Sequence, residues 1–199
     1  LAWTKADGRD LGAGRHMVEL GVLRKFISLK KVEHSIELAQ QAMEQGKKVI
    51  IFTSFTDSFN ALMSHFGRVA VGHNGKMNGT QKQSSIDNFQ NNDKVKVFVG
   101  NLISAGTAIT LTAAEVVIMN DLDFVPSNHA QAEDRAVRIG QNKAVNIYYP
   151  IYEGTVDIMM YDMLQKKKQI INTIMGEEHE EVDVSTDLIK QINISHKFT

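Results

Sequence analysis

The sequence contains no cysteine, which excludes disulfides, cysteine-ligated metal sites and thiol catalysis. No apolar run approaches the roughly 20 residues that a membrane-spanning helix requires, and no signal-peptide pattern opens the chain. The seven histidines are scattered without an HxxxH or HExxH pair, so we predict no metal site. These absences fit an intracellular protein, which would be cytoplasmic or nucleoid-associated in a prokaryote or virus and nuclear in a eukaryote.

A large charge of either sign is also missing. The 22 basic residues are balanced by 23 acidic ones, so the net charge gives no support for indiscriminate nucleic-acid binding. Any contact with nucleic acid must therefore come from local groups. The 199 residues allow one good-sized domain with or without an appendage, and the start at Leu1 rather than Met suggests a piece of a longer protein.

Glycine-rich nucleotide-binding loops are absent as well. The sequence has no G-x-x-x-x-G-K-[ST], no D-E-x-H box and no G-x-G-x-x-G turn. The residues that would hold the β- and γ-phosphates of a nucleoside triphosphate, carry Mg²⁺ and orient water are therefore missing. We expect that this chain alone does not hydrolyse ATP, and that it is not a stand-alone dinucleotide-binding protein.

What is present is an alternation of apolar strands with helices. Such an alternation predicts a parallel, doubly wound sheet with helices on both faces. The run Val49–Thr53 is continuously apolar, as in strands that are buried on both faces. Thr53 and Ser54 lie where open α/β sheets place their ligands, although they could simply close a turn. The other predicted strands are Val69–Val71, Val95–Val99, Ala114–Met119 and Val145–Tyr149, and the predicted helices include Val18–Phe26, Lys31–Glu44 and Val156–Met175.

The stretch QAEDRAVRIGQ, residues 131–141, carries the most specific pattern. We predict a short helix that starts near His129 and ends at Gly140. Two permanently charged guanidiniums one turn apart on it suit a triphosphate, although weak surface ion pairs with Glu133 and Asp134 are the alternative. One face would present Gln131, Arg135 and Arg138, and the neighbouring inward face Ala132, Ala136 and Ile139.

Residues 121–141 resemble motif VI of superfamily-two helicases, and most closely that of the Swi/Snf-type helicase-like ATPases. The family pattern runs roughly D-x-x-W-N-P and then Q-A-x-D-R-A-H-R-I-G-Q, where this chain has DLDFVP and QAEDRAVRIGQ. Gln131 and both arginines are retained, whereas Phe124-Val125 replaces Trp-Asn and Val137 replaces the usual His.

Three earlier stretches resemble the preceding motifs of the same family. KKVIIFTSF is similar to motif IV, and HNGKMN followed by TQKQSSIDNF is similar to the H-x-G loop and its helix. FVGNLISAGTAITLTAA resembles motif V, with Gly106 at one glycine position of the family and Ala105 and Ala108 at two others. The resemblance extends from about Lys31 to Asp157.

The resemblance implies an α/β fold of the RecA-like class, with a doubly wound, mostly parallel sheet, helices on both faces and a C-terminal bracing helix. We expect a lead-in linker and short helix at 1–30 and the second RecA-like helicase lobe at 31–155. The bracing helix would occupy 156–176, followed by an acidic tail at 177–199.

The resemblance also implies which residues act. Arg135 and Arg138 would be arginine fingers, and Gln131, Gly106 and Thr107 would also lie at the nucleotide. ATP and Mg²⁺ would be held mainly by a first RecA-like lobe of the same polypeptide, and the second partner would be duplex DNA, contacted without sequence preference. The residues implied to grip the nucleic-acid backbone are Thr53, Ser54, Lys76, Asn101 and Ser104.

The expected function is therefore that of the second motor lobe of an ATP-dependent DNA translocase or remodeller. One alternative is a degenerate lobe that serves as a binding or scaffolding module. The altered motif V glycines and Val137 favour this alternative, whereas Gln131 and the two arginines oppose it. Another alternative is a lobe of an RNA helicase or of a restriction-type translocase, because motif VI separates these classes poorly.

Overall fold

A parallel sheet forms the centre of the molecule. The computed structural model describes residues 11–102, 110–136 and 144–175. The strands within these ranges are β1 Val49–Thr53, β2 Ala70–His73, β3 Val97–Asn101, β4 Val116–Met119 and β5 Asn146–Tyr148. They pair in the order β2-β3-β1-β4-β5, and every pair is parallel. The predicted doubly wound fold is confirmed.

Helices cover both faces of this sheet. Because successive strand side chains point to opposite faces, each strand feeds two cores. Val49 and Ile51 face one pair of helices, and Ile50 and Phe52 face another. The helices in the described part of the chain are α1 Leu11–Glu44, α2 Thr56–Phe66, α3 Gly79–Asn91, α4 Pro126–Glu133 and α5 Val156–Met175. Helices α1 and α2 pack on the first face, and Phe89 of α3 and Ala132 of α4 pack on the second.

The N-terminal helix differs from the prediction. Instead of a linker to residue 16, a short helix and a separate helix from Lys31, a single 34-residue helix runs from Leu11 to Glu44. Ser28 lies at the junction where the helix was expected to break. The structure buries Ser28 and places its hydroxyl 2.6 Å from that of Ser58 on α2. The polar residue therefore makes a helix–helix contact, and the predicted division into two helices is wrong.

The C-terminal helix α5 packs on the loop that follows β4. Met160 and Leu164 are buried in one cluster with Leu122, and Tyr149 packs against the same cluster. The first half of the helix thus docks on its own lobe, whereas Ile171 farther along is 44% exposed. None of the helices within the described ranges is long and apolar enough to cross a membrane.

The topology brings several loops to one edge. In a parallel sheet all the strands end on the same side, so the residues after Thr53, His73, Asn101 and Met119 share the carboxyl edge. We call residues 120–125 the β4–α4 loop and residues 74–78 the β2–α3 loop. The two loops lie at this edge with the turn that follows β1.

Candidate functional site

Asp121 organises the carboxyl edge between β1 and β4. Its Oδ2 accepts the hydroxyl of Thr53 at 2.6 Å and the backbone N–H of Ser54 at 2.7 Å. Its Oδ1 accepts the side-chain amide of Asn120 at 3.2 Å. Asp121 is only 4% exposed and Thr53 is fully buried. The turn after β1 is therefore held by the second residue of the β4–α4 loop.

Three of the residues predicted to bind nucleic acid, Thr53, Ser54 and Asn101, meet at this turn, and the side-chain oxygens of Thr53 and Ser54 are both buried. The Thr53 hydroxyl points into the protein, where it donates to Asp121 and accepts the N–H of Phe55 at 3.3 Å. It can position the turn, but in this conformation it is not available to a phosphate. The side chain of Asn101 donates to the carbonyl of Ser54 at 3.4 Å, so the structure does bring these two residues together.

The β2–α3 loop carries Lys76. Asn74 Oδ1 accepts the Lys76 backbone N–H at 3.0 Å, and the Lys76 side chain is exposed. The next helix, α3, begins with a capping box in which Asn78 accepts from Gln81 N–H at 2.9 Å and Gln81 accepts from Asn78 N–H at 3.0 Å. Local amide side chains shape this loop and leave the lysine facing solvent.

Helix α4 starts earlier and ends earlier than predicted. Pro126 opens it, as the fixed φ of proline and its missing N–H favour at a first helical position. The last helical residue is Glu133, and Arg135 follows in a turn. The Arg135 carbonyl accepts the N–H of Leu111 at 2.8 Å, a bond to another segment that accompanies the end of the helix. Gln131 and Arg135 therefore do not share the face of one continuous helix.

The surroundings of Arg135 fix its place in the fold. Ala132 and Ala136 are 1% and 0% exposed, which confirms their predicted inward packing. The carboxylate of Glu133, one of the two suggested surface ion-pair partners, accepts the hydroxyl of Tyr149. Burial, reinforced by Glu133, raises the pKa of Tyr149, so the phenol remains a donor at physiological pH. Arg135 itself is partly exposed, and Gln131 is exposed on α4.

Four of the predicted site residues lie outside the described residues. They are Ser104, Gly106, Thr107 and Arg138. Their roles remain predictions.

His129, the fourth residue of α4, has a structural role that the sequence did not predict. It is 2% exposed, and its Nε2 accepts the Asp123 N–H at 2.8 Å, while the Asp123 carbonyl lies farther away at 3.4 Å. Burial lowers the pKa of His129, against an opposing effect of Asp123, and the acceptor role requires an unprotonated Nε2. Asp123 Oδ1 also accepts from Val125 N–H and Asn128. Asp123 lies two residues before Val125, the N-cap of α4, and an aspartate at this spacing could have predicted the turn.

These features define a RecA-like α/β domain, and comparison with known proteins names its family. The family described as the helicase conserved C-terminal domain matches residues 30–140. The chain belongs to this family and is the C-terminal lobe of a Swi/Snf-type superfamily-two helicase.

Two relatives illustrate the similarity. The chain is 30% identical over 193 residues to the SWI/SNF-related matrix-associated actin-dependent regulator of chromatin subfamily A-like protein 1 of Drosophila melanogaster, covering 87% of this chain and 25% of that protein. It is 35% identical over 136 residues to the helicase swr1 of Schizosaccharomyces pombe, covering 67% of this chain and 11% of that protein. The chain thus spans a quarter or less of the length of these curated relatives.

Two solved structures share the fold. The C-terminal part of the Fun30 ATPase domain aligns with a TM-score of 0.62 at 23% identity, covering 81% of this chain and 51% of that one. The Sulfolobus solfataricus SWI2/SNF2 ATPase core domain aligns with a TM-score of 0.58 at 26% identity, covering 79% and 33%.

Proposed function

We propose that this chain is the second motor lobe of an ATP-dependent translocase or remodeller acting on double-stranded DNA. In the full-length protein it would supply arginine fingers to ATP bound on a first RecA-like lobe and grip the DNA backbone. The observation that carries the proposal is the placement of Arg135. It lies in a turn anchored by the buried Ala132 and Ala136 and by the bond to Leu111, and it is still partly exposed.

The chemistry asked of Arg135 and Arg138 is stabilisation of charge on a transferring phosphoryl group. A guanidinium stays charged at any working pH, and its planar fork matches phosphate oxygens. An arginine finger supplied to such a site is worth about 10³–10⁵ in rate. Gln131, exposed on α4, would orient the nucleotide or couple it to the DNA-binding loops. Gly106 and Thr107 would line the same site.

ATP is the substrate in this proposal, and its Mg²⁺ would come with it. Within the described ranges, no group of three or more His, Asp or Glu side chains could hold a metal ion. The phosphates and a first lobe would therefore supply the Mg²⁺ ligands, as the missing phosphate-binding loop of this chain also suggests. We therefore expect that the isolated chain does not hydrolyse ATP.

The DNA grip would come from the carboxyl edge of the sheet. Lys76 is exposed on its loop, and Ser54 and Asn101 adjoin one another at the β1 turn. Ser104 remains a predicted contact. Thr53 would act by holding the turn through Asp121 instead of touching phosphate. Phosphate contacts position a protein without reading bases, so we expect tracking that is independent of sequence.

The names of the relatives support a role on chromatin or DNA, since they include a regulator of chromatin and a helicase. In a eukaryotic source the protein would then be nuclear. A second candidate is a degenerate lobe that only binds or scaffolds, which the alanines at motif V glycine positions favour. A phosphate-binding loop upstream in the full-length polypeptide would support the motor, and its absence would support the scaffold.

The test uses the full-length protein. Arg135→Ala and Arg138→Ala should each collapse DNA-stimulated ATP hydrolysis, by about 10³-fold or more, while the thermal unfolding midpoint stays near that of the wild type. Arg68→Ala is the matched control, because Arg68 is exposed on the 3₁₀ turn Gly67–Val69 before β2. Wild-type turnover in both finger variants would overturn the proposal.

A further inference from the structure

Two cations from distant helices converge on the β4–α4 loop. The Nη2 atom of Arg24, on α1, donates to the carbonyl of Leu122 at 2.7 Å. The Nζ atom of Lys167, on α5, donates to the carbonyl of Phe124 at 2.7 Å. These partners are 98 and 43 residues apart in the sequence. A loop of a few residues is thus held by side chains from both ends of the described chain.

Arg24 makes more than one contact at this loop. Its guanidinium carbon lies 4.3 Å from the ring centroid of Phe124 and 5.6 Å from that of Phe55, which follows β1. Burial lowers the pKa of Arg24, and the carboxylates of Asp123 and Asp121 counter this effect. A guanidinium keeps its charge in such a site, and its flat face suits an aromatic ring better than an ammonium does. Arg24 therefore links the turns that follow β1 and β4.

The two helices that supply the cations are fixed to each other. Lys31 of α1 and Asp157 of α5 form an ion pair at 2.9 Å, with side chains 1% and 6% exposed. Lys31 also donates to the carbonyl of Pro150 at 3.3 Å. Breaking such a buried pair leaves an uncompensated charge, so the arrangement resists separation. The β4–α4 loop is consequently held by two helices that are themselves joined by this buried ion pair.

The held loop leads directly to Arg135. Asp123, inside the loop, accepts from Val125 N–H and from Asn128 at the start of α4, and its own N–H is bound by His129. Helix α4 then spans only eight residues before the turn that carries Arg135. A displacement of the loop would be passed along this short helix to the arginine, because each step is a direct hydrogen bond or a helical turn.

We propose that Arg24 and Lys167 are positioning residues that hold the β4–α4 loop so that α4 presents Arg135 in a fixed place. This inference rests on the finger role proposed above. Neither side chain touches the nucleotide in this account; both act through the loop and α4. Through the same contacts, a movement of α1 or α5 would shift the position of Arg135 at the nucleotide site.

The experiment measures DNA-stimulated ATP hydrolysis by the full-length protein. Arg24→Ala and Lys167→Ala should each lower kcat by about 10- to 100-fold, because small misplacements of a catalytic group cost rates of this order. KM for ATP should stay within about twofold, since a finger acts mainly in the transition state. Lys25→Ala and Lys166→Ala are the matched controls, because each alters an exposed neighbour on the same helix, and both should retain wild-type kcat.

Conservative variants separate positioning from mere folding. Lys167→Arg keeps a donor for the Phe124 carbonyl and should restore kcat. Arg24→Lys keeps the charge but loses the flat contact with Phe124, so it should recover kcat only in part. Because Lys167 is partly exposed on α5, its variants carry the test even if Arg24→Ala fails to fold.

A double-mutant cycle with Arg135→Ala decides between the outcomes. If Arg24 and Lys167 act through Arg135, their substitution should cost no further kcat once Arg135 is gone. Two outcomes would overturn this inference and leave the finger role unaffected. One is that the losses of kcat persist undiminished in the Arg135→Ala background. The other is that Arg24→Ala and Lys167→Ala have wild-type kcat while Arg135→Ala has lost its activity. Wild-type kcat in Arg135→Ala would overturn the finger role of Arg135, and this inference with it.

Discussion

Two loops at the carboxyl edge of the sheet differ in whether distant or local side chains hold them in place. The β4–α4 loop is held by side chains from β1, α1 and α5, and Asp121 and Leu122 within it are almost completely buried. The β2–α3 loop is shaped by its own amide side chains, Asn74 and Asn78, and leaves Lys76 exposed. Buried polar groups whose hydrogen bonds are made within the protein hold a loop in place, whereas an exposed lysine can bind a ligand. The first loop should therefore matter for stability and geometry, and the second for binding.

The largest effect on stability should come from removing the carboxylate of Asp121 in the β4–α4 loop. Asp121→Ala leaves the fully buried Thr53 hydroxyl and the Ser54 N–H without their acceptor. Each unsatisfied donor costs about 1–3 kcal/mol, so urea unfolding of this chain should show a loss of roughly 2–6 kcal/mol. Thr53→Val removes one of the two donors that Asp121→Ala leaves without an acceptor. The double variant should therefore lose less free energy of unfolding than the sum of the losses in the single variants.

The control for this prediction is Asp87→Ala on the exposed face of α3, where Asp87 accepts from Gln83. It should change the free energy of unfolding by no more than about 0.5 kcal/mol. Equal stability of the Asp121 and Asp87 variants would show that the carboxylate of Asp121 does not support the β4–α4 loop as described.

A smaller effect should appear as a pH dependence of the same region. Burial lowers the pKa of His129 below its unfolded value of about 6.5, so the folded state favours the neutral ring. The stabilisation is complete above about pH 6.5 and is lost as the pH falls through the lowered folded pKa. The free energy of unfolding should therefore decrease on acidification below about pH 6.5, as urea titrations at a series of pH values would measure.

Replacement of His129 should flatten that profile without abolishing it. Burial, aided by Lys82, also lowers the pKa of His73, which would supply the remaining slope. His129→Gln retains an acceptor for Asp123 N–H but does not titrate, and His65→Gln on the exposed side of α2 is the control. An unaltered slope in His129→Gln would remove His129 from the explanation.

The smallest structural effect, and the clearest binding effect, should come from Lys76. Lys76→Ala should leave the free energy of unfolding within about 0.5 kcal/mol of wild type and reduce the salt slope of DNA binding by about one unit. Lys94 provides a close control. Its N–H is accepted by Asn92 at 3.0 Å, just as the Lys76 N–H is accepted by Asn74, but Lys94 lies before β3 at the opposite edge.

The expected result is a reduced slope for Lys76→Ala and a wild-type slope for Lys94→Ala. Equal slopes for the two variants would mean that the carboxyl edge has no special role in holding DNA.

What could be predicted from the sequence was local or periodic. The continuous apolar run Val49–Thr53 indicated a strand buried on both faces, and the inward stripe of Ala132 and Ala136 followed from helical spacing. The start of α4 at Pro126 was also predictable, because proline favours the first helical position, whereas the predicted start lay near His129.

What could not be predicted depends on distant partners. Thr53 points inward because Asp121, 68 residues later, accepts its hydroxyl. Ser28 does not interrupt α1 because Ser58 and Asn120 meet it there. The link between Arg24 and Leu122 crosses 98 residues. No local pattern encodes such pairs, since each side chain has the same propensity whether or not its partner exists.

The central claim is that Arg135 acts on a nucleotide held by another lobe, and single-turnover hydrolysis in the full-length protein tests it most directly. With enzyme in excess over ATP and with saturating DNA, Arg135→Ala should bind ATP with near wild-type affinity and hydrolyse it about 10³-fold more slowly or worse, while Arg68→Ala hydrolyses it at the wild-type rate. A wild-type hydrolysis rate in Arg135→Ala would contradict the account.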